Sequence, residues 1–174
     1  MLELQILRNL RARALTMVAS AAMLAAVPLA ASAATEIQVG ATILAACTAS
    51  GTSLNFGGSI DPLATSGPKD ASSTLNVVCT STTPYTVSLN AGTNAGGTSN
   101  FGNRTMKSGG NALPYQLYLD AARSQIWGDG NASSIHSGVG TGNAQTLTIY
   151  GRLPSLQNIV PGSYTDTVTL TISY

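Results

Sequence analysis

GSYTDTVTLTISY, residues Gly162 to Tyr174, is the stretch that decides the fold class. Pro161-Gly162 marks a turn, and after it the side chains alternate. Tyr164, Asp166, Val168, Leu170, Ile172 and Tyr174 share one face, while Thr165, Thr167, Thr169, Thr171 and Ser173 share the other. A period of two, rich in β-branched residues, predicts a β-strand. The Val/Leu/Ile row requires a core, and the Thr row suits water. The sequence stops on this strand, with no hairpin and no returning partner. A long strand with an open edge is a template for another chain, so the rest of the sequence is read for what covers that edge.

A second alternating stretch stands far upstream. In TEIQVGATILAA, Thr35 to Ala46, one face carries Ile37, Val39, Ala41, Ile43 and Ala45. It reads either as an ordinary first strand or as a detachable strand whose apolar teeth fill a groove in another molecule. Between the two lie further short strand signals: Ser53–Gly57, Ser73–Thr80, Tyr85–Asn90, Arg104–Lys107, Leu113–Asp120, Gln125–Trp127 and Thr146–Leu153. Ile60–Ser72, Ala91–Gly102 and Ser133–Gln145 are rich in Gly, Pro, Asn, Ser and Thr and read as loops. Many short strands separated by turns, with no helical period, predict an all-β chain folded as a two-sheet sandwich.

Ahead of all this, Arg8, Arg11 and Arg13 precede an uncharged, Ala-rich run to Ala30, followed by Ala31-Ser32-Ala33. This three-part pattern is a secretory signal peptide, assigned to residues 1–33, with Ala34 as an alternative last residue. The mature chain of about 140 residues suits one domain. Five basic side chains (Lys69, Arg104, Lys107, Arg123, Arg152) face six acidic ones (Glu36, Asp61, Asp70, Asp120, Asp129, Asp166), a formal −1. With no basic stripe, nucleic acid is not an expected partner. Cys47 and Cys79 are both in the exported part, and an even count in an oxidising compartment reads as one disulfide.

In order and spacing, the landmarks resemble the spore coat protein U domain family, which includes subunits of archaic chaperone–usher pili. Those landmarks are the alternating stretch before Cys47, Leu54-Asn55-Phe56-Gly57, Val78-Cys79-Thr80 and Tyr85–Leu89. Arg104-Thr105-Met106, Leu113–Asp120, Ile126–Gly130, Ile149–Pro154 and Gly162–Val168 complete the series. The resemblance covers nearly the whole mature chain. It implies an immunoglobulin-like sandwich that lacks its last strand and is completed by a donor strand. It also implies three partners: a periplasmic chaperone, an outer-membrane usher and neighbouring pilin subunits. Export would run through the periplasm to a surface fibre serving adhesion and biofilm formation. Carried onto this sequence, residues 34–46 are the donor segment, with Ile37, Val39, Ala41 and Ile43 as its teeth. Residues 47–174 are the pilin domain. Val168, Leu170 and Ile172 line the acceptor groove, and Tyr174 meets the chaperone. Few residues precede Cys47, so the segment is either donated or kept at home as a first strand. The length suits a shaft or adaptor position rather than a two-domain tip subunit.

Chemistry is thin elsewhere. His136 stands in a polar loop with Ser134 and Ser137, without a nucleophile motif. Gly128-Asp129-Gly130-Asn131 offers one carboxylate where a Ca²⁺ loop uses several, so it reads as a turn. Asp120 and Arg123 are placed to pair after their strand. No enzyme, metal or cofactor is expected. The competing reading is a secreted, self-complete β-sandwich, either a coat protein or a carbohydrate-binding protein. Intact-mass measurement of exported protein is expected to show an N-terminus at Ala34 or Thr35; a mature form that keeps residues 1–30 contradicts the leader.

Overall fold

The computed structural model describes residues 32–65, 67–131 and 133–174. Apart from Ser32 and Ala33, the expected leader lies outside the described residues. The chain divides into two units at Ala41/Thr42. In the first, residues 32–41 have no regular secondary structure and are exposed throughout.

The second unit is an all-β, immunoglobulin-like sandwich. Its backbone is the long pair β2 (Lys69–Cys79) and β8 (Ala144–Leu153). They run antiparallel in the register Lys69↔Leu153 to Val78↔Ala144. In β2 the period-two pattern turns Leu75, Val77 and Cys79 inward and Thr74, Asn76 and Val78 outward. β1 (Cys47–Gly51) flanks β2, and β6 (Gln116–Tyr118) flanks β8, giving the order β1-β2-β8-β6. The facing sheet has the order β7-β3-β9, from His136–Val139, Pro84–Leu89 and Leu170–Ser173. A hairpin of β4 (Thr105–Ser108) and β5 (Asn111–Pro114), turned at Gly109-Gly110, makes a third, two-stranded sheet. Between the main sheets Leu75, Val77, Val87, Leu89, Leu117, Trp127 and Leu153 form one core. The Trp127 indole, 1% exposed, donates to the Val87 carbonyl at 2.9 Å, so its polar atom is satisfied inside.

Several expectations need correction. Thr35–Ala46 is not a strand in this chain; β1 starts at Cys47, in a stretch the sequence did not mark, and just before it the Ala46 carbonyl accepts from Thr80 N at 2.9 Å. Ser53–Gly57 is irregular, because the Asn55 side chain accepts from Gly57 N at 2.8 Å and curls the backbone. Leu54 and Phe56 nevertheless pack inward, against a bare Gly151: a Cβ there would lie 2.9 Å from both side chains. β2 starts at Lys69, inside the expected loop, since it pairs with β8 along its whole length. Leu113–Asp120 is broken at Tyr115: β5 pairs with β4, and β6 with β8, so the chain changes sheets there. The loop 133–145 contains β7, which pairs with β3, and His136 sits half-buried on that strand opposite Val87. Burial lowers the His136 pKa. Asp120 does not pair with Arg123. Its carboxylate accepts from Ser124 N and Gln125 N, while Arg123 turns to Asp70 at 3.2 Å.

Cys47 and Cys79 are bridged and sit directly opposite each other in the β1–β2 ladder. The bridge closes a sequence separation of 32 residues. Replacing both with Ser is expected to cost about 3–4 kcal/mol in urea unfolding, with amide exchange rising first in Cys47–Gly51. Unchanged stability would contradict a structural bridge.

Candidate functional site: an open groove between two sheet edges

Among the described residues, β1 is paired in its sheet on one side only, to β2, and β9 on one side only, to β3. The two free edges face each other, and between them runs a groove of about 700 Å³. Ala49, Ser50 and Gly51 form one wall. Asp166, Thr167, Val168, Leu170 and Ile172 form the other. The floor is the core itself, reached through Leu75, Leu89, Leu117 and Ile149. Thr52, Ser53, Leu54, Phe56, Met106 and Tyr115 complete the lining.

The alternation expected of the last strand is present. Tyr164, Asp166, Val168, Leu170 and Ile172 are half-buried, while Thr165, Thr167, Thr169, Thr171 and Ser173 are exposed. Val168, Leu170 and Ile172 are half-buried rather than buried because they look into the groove. Regular pairing is shorter than expected, Leu170–Ser173 only. Upstream, the extended chain is tied at separate points: Asn90 N donates to Thr169 O, Thr93 N to Thr167 O, and Lys107 and Thr165 exchange a pair of backbone bonds. Tyr174 lies past the groove and is 62% exposed. Among the other expected site residues, Ile37, Val39 and Ile43 are 84%, 93% and 85% exposed, and Ala41 is exposed too.

Two polar residues hold the groove's shape, and the sequence reading missed their roles. Asp166 stands in an otherwise apolar row, which is the signal that could have marked it. Its Oδ2 accepts from the Tyr115 hydroxyl at 2.7 Å. Its Oδ1 accepts from Thr93 Oγ1, Asn94 N, Asn94 Nδ2 and Thr167 N. The carboxylate thus pins the loop after β3 to the wall of the groove. Gly92 is what lets the loop come so close: its φ is +97°, and a Cβ would run into the Asp166 carboxylate and stand 3.0 Å from the Tyr115 hydroxyl. Burial first, then the Asp166 carboxylate beside it, pushes the Tyr115 phenol well above its ordinary pKa.

The second is Arg104, which is 1% exposed. Its guanidinium donates to Gln116 Oε1, Asn90 O and Trp127 O, each at 2.8 Å, and its plane lies over the Phe101 ring. Three separate segments therefore share one planar donor. Burial pulls its pKa down to about 10, which still leaves it charged at neutral pH. Nothing in the Asn- and Gly-rich run before it separates this arginine from an exposed one. Among the described residues, no cluster of three or more His, Cys, Asp or Glu could hold a metal ion.

A family model described as Spore Coat Protein U domain matches residues 33–171. The chain is 30% identical to Protein U of Myxococcus xanthus over 157 residues, covering 83% of this chain and 87% of that protein. Among solved structures, it is similar to a chain of a chaperone–tip adhesion subunit pre-assembly complex, CsuC–CsuE, from archaic chaperone-usher pili of Acinetobacter baumannii. There the TM-score is 0.52 at 26% identity over 76% of this chain, and the chain spans 40% of that solved chain.

Gly92→Val adds strain at a positive φ and pushes on the Asp166 carboxylate. It is expected to lower stability by about 2–4 kcal/mol in urea titration. Tyr115→Phe, which removes only the hydroxyl bond, is expected to cost about 1–2 kcal/mol. Equal, negligible losses would show that the Asp166 network does not hold the groove wall.

Proposed function

The chain belongs to the Spore Coat Protein U domain family, and on that footing we propose that it is a subunit of a chaperone–usher surface fibre assembled by strand donation. The observation that carries this reading is the groove: two free sheet edges with the hydrophobic core laid open between them. A free edge supplies main-chain N–H and C=O groups, and an incoming strand pairs with them while its alternate side chains enter the groove. Residues 34–46 have the matching pattern. Ile37, Val39, Ala41 and Ile43 recur at period two and stand exposed, and the home domain begins its own first strand at Cys47. The segment is therefore spare, and one copy's segment completes the next copy's sandwich. Before that happens, a periplasmic chaperone lends the strand, with Tyr174 at the contact, and an outer-membrane usher exchanges it. The tip-subunit complex in the related structure supports the chaperone step. The fibre serves adhesion and biofilm formation. The fold's role is structural, not enzymatic.

Energetics favour the exchange. Burying Ile37, Val39 and Ile43 contributes roughly 1.5–3 kcal/mol each, and ladder bonds roughly 0.5–1.5 each, before the cost of ordering the segment. Because donor and groove face different neighbours, the contact is heterologous and propagates as an open filament.

Ile43→Asp would carry a charge into the groove of the next subunit. It is expected to abolish subunit linkage while the domain still folds and binds chaperone. A copy of Thr35–Ala46 fused after Tyr174 through a short flexible linker is expected to fill the groove and give a monomer with a markedly higher Tm. Polymer is scored by boiling-resistant ladders and electron microscopy, and the fusion by thermal melting. Normal fibres from the Asp variant, or no stabilisation by the fusion, would favour a self-complete coat or carbohydrate-binding sandwich instead.

A further inference from the structure

Met106 lies in the wall of the groove, on β4, packed against the core and half-buried. The sequence holds four methionines, of which Met1, Met17 and Met23 fall in the expected leader. The other readily oxidised groups are shielded: Cys47 and Cys79 are bridged, and Trp127 is 1% exposed. Among the described residues a two-electron oxidant therefore meets one reactive sulfur, and that sulfur lies in the groove. Across the hairpin Met106 pairs with Leu113, and the next residue, Lys107, bonds the Thr165 backbone beside Asp166. A change at Met106 is thus felt at the wall an incoming strand must pair with.

We propose that oxidation of Met106 is a redox gate on strand acceptance: the thioether form admits a donor strand, and the sulfoxide form resists it. This rests on the strand-donation reading above. The step consumes one peroxide or one hypochlorous acid. The thioether sulfur gains one oxygen and gives up two electrons. Peroxide is reduced to water, or hypochlorous acid to chloride and a proton. The sulfoxide oxygen is a strong acceptor, and it would stand in a groove whose lining includes the apolar side chains of Leu117, Val168 and Leu170. Closing a strand over it would bury the acceptor without a partner. The gate also closes in one direction only, because a strand already seated covers Met106 from the oxidant. Subunits still waiting to assemble are inactivated, and finished fibre is spared.

The test treats exported wild-type protein and Met106→Leu with hydrogen peroxide, verifies one added oxygen on the Met106 peptide by mass spectrometry, and follows polymerisation. Oxidised wild type is expected to assemble roughly tenfold or more slowly, given a buried unpaired acceptor, while treated Met106→Leu keeps its untreated rate. The fusion that carries its own donor strand is expected to oxidise at Met106 at least about tenfold more slowly than the open protein, by analogy with other buried sites. Unchanged assembly of oxidised wild type overturns the gate, and so does equal loss in Met106→Leu. Failure of the untreated protein to polymerise at all would instead overturn the strand-donation reading.

Discussion

A β-sheet edge that is neither paired, covered nor charged cannot stay as it is in water without consequence. Here two terminal strands, β1 and β9, face each other over the core. The other features of the domain answer to that arrangement. The disulfide fastens one edge strand to β2. The Asp166–Tyr115 bond and the bare Gly92 brace the other wall. Arg104 draws the segments behind that wall together through carbonyls that would otherwise be buried unpaired. None of these polar groups reaches across the groove, so the apolar opening is left whole.

The balance of forces explains why the domain can exist with its core partly open. β2 and β8 pair along ten positions and carry the central row of Leu75, Val77 and Leu153, all buried. Phe56 and Leu54 fold over Gly151 and close the sandwich beside the groove. Val168, Leu170 and Ile172 in the groove wall, by contrast, are half-buried, and their full burial is free energy not yet gained. A domain in this state is held along β2 and β8 while apolar surface stays open along the groove.

How much of this was legible in the sequence depended on whether the signal was local. Alternation in Gly162–Tyr174 and Ser73–Thr80 gave the right faces, because a period of two survives whatever the neighbours do. The pairing of the two cysteines was equally plain. The misreadings share a cause. Ser53–Gly57 looked like a strand by composition, but the Asn55 side chain satisfies the backbone locally. His136–Val139 looked like loop because Gly and Ser have low strand propensity; β3 supplies the ladder that holds it. Tyr115 switches the chain between sheets, which no alternation pattern can announce. Arg104 and Gly92 matter through contacts with residues well separated in sequence, and a single sequence carries no mark of those distances.

The position of the disulfide has a mechanical meaning. Residues 34–46 leave the domain through Cys47, so tension on that segment enters the fold at the first residue of β1. In an antiparallel pair loaded from one end, rupture proceeds as peeling, one rung after another, and needs little force. Cys47 is the first rung, and it is joined covalently to Cys79. Load therefore passes straight into β2, a strand with neighbours on both sides, where separation requires many rungs to shear at once. A single sulfur–sulfur bond at the entry point turns a zipper into a weight-bearing joint.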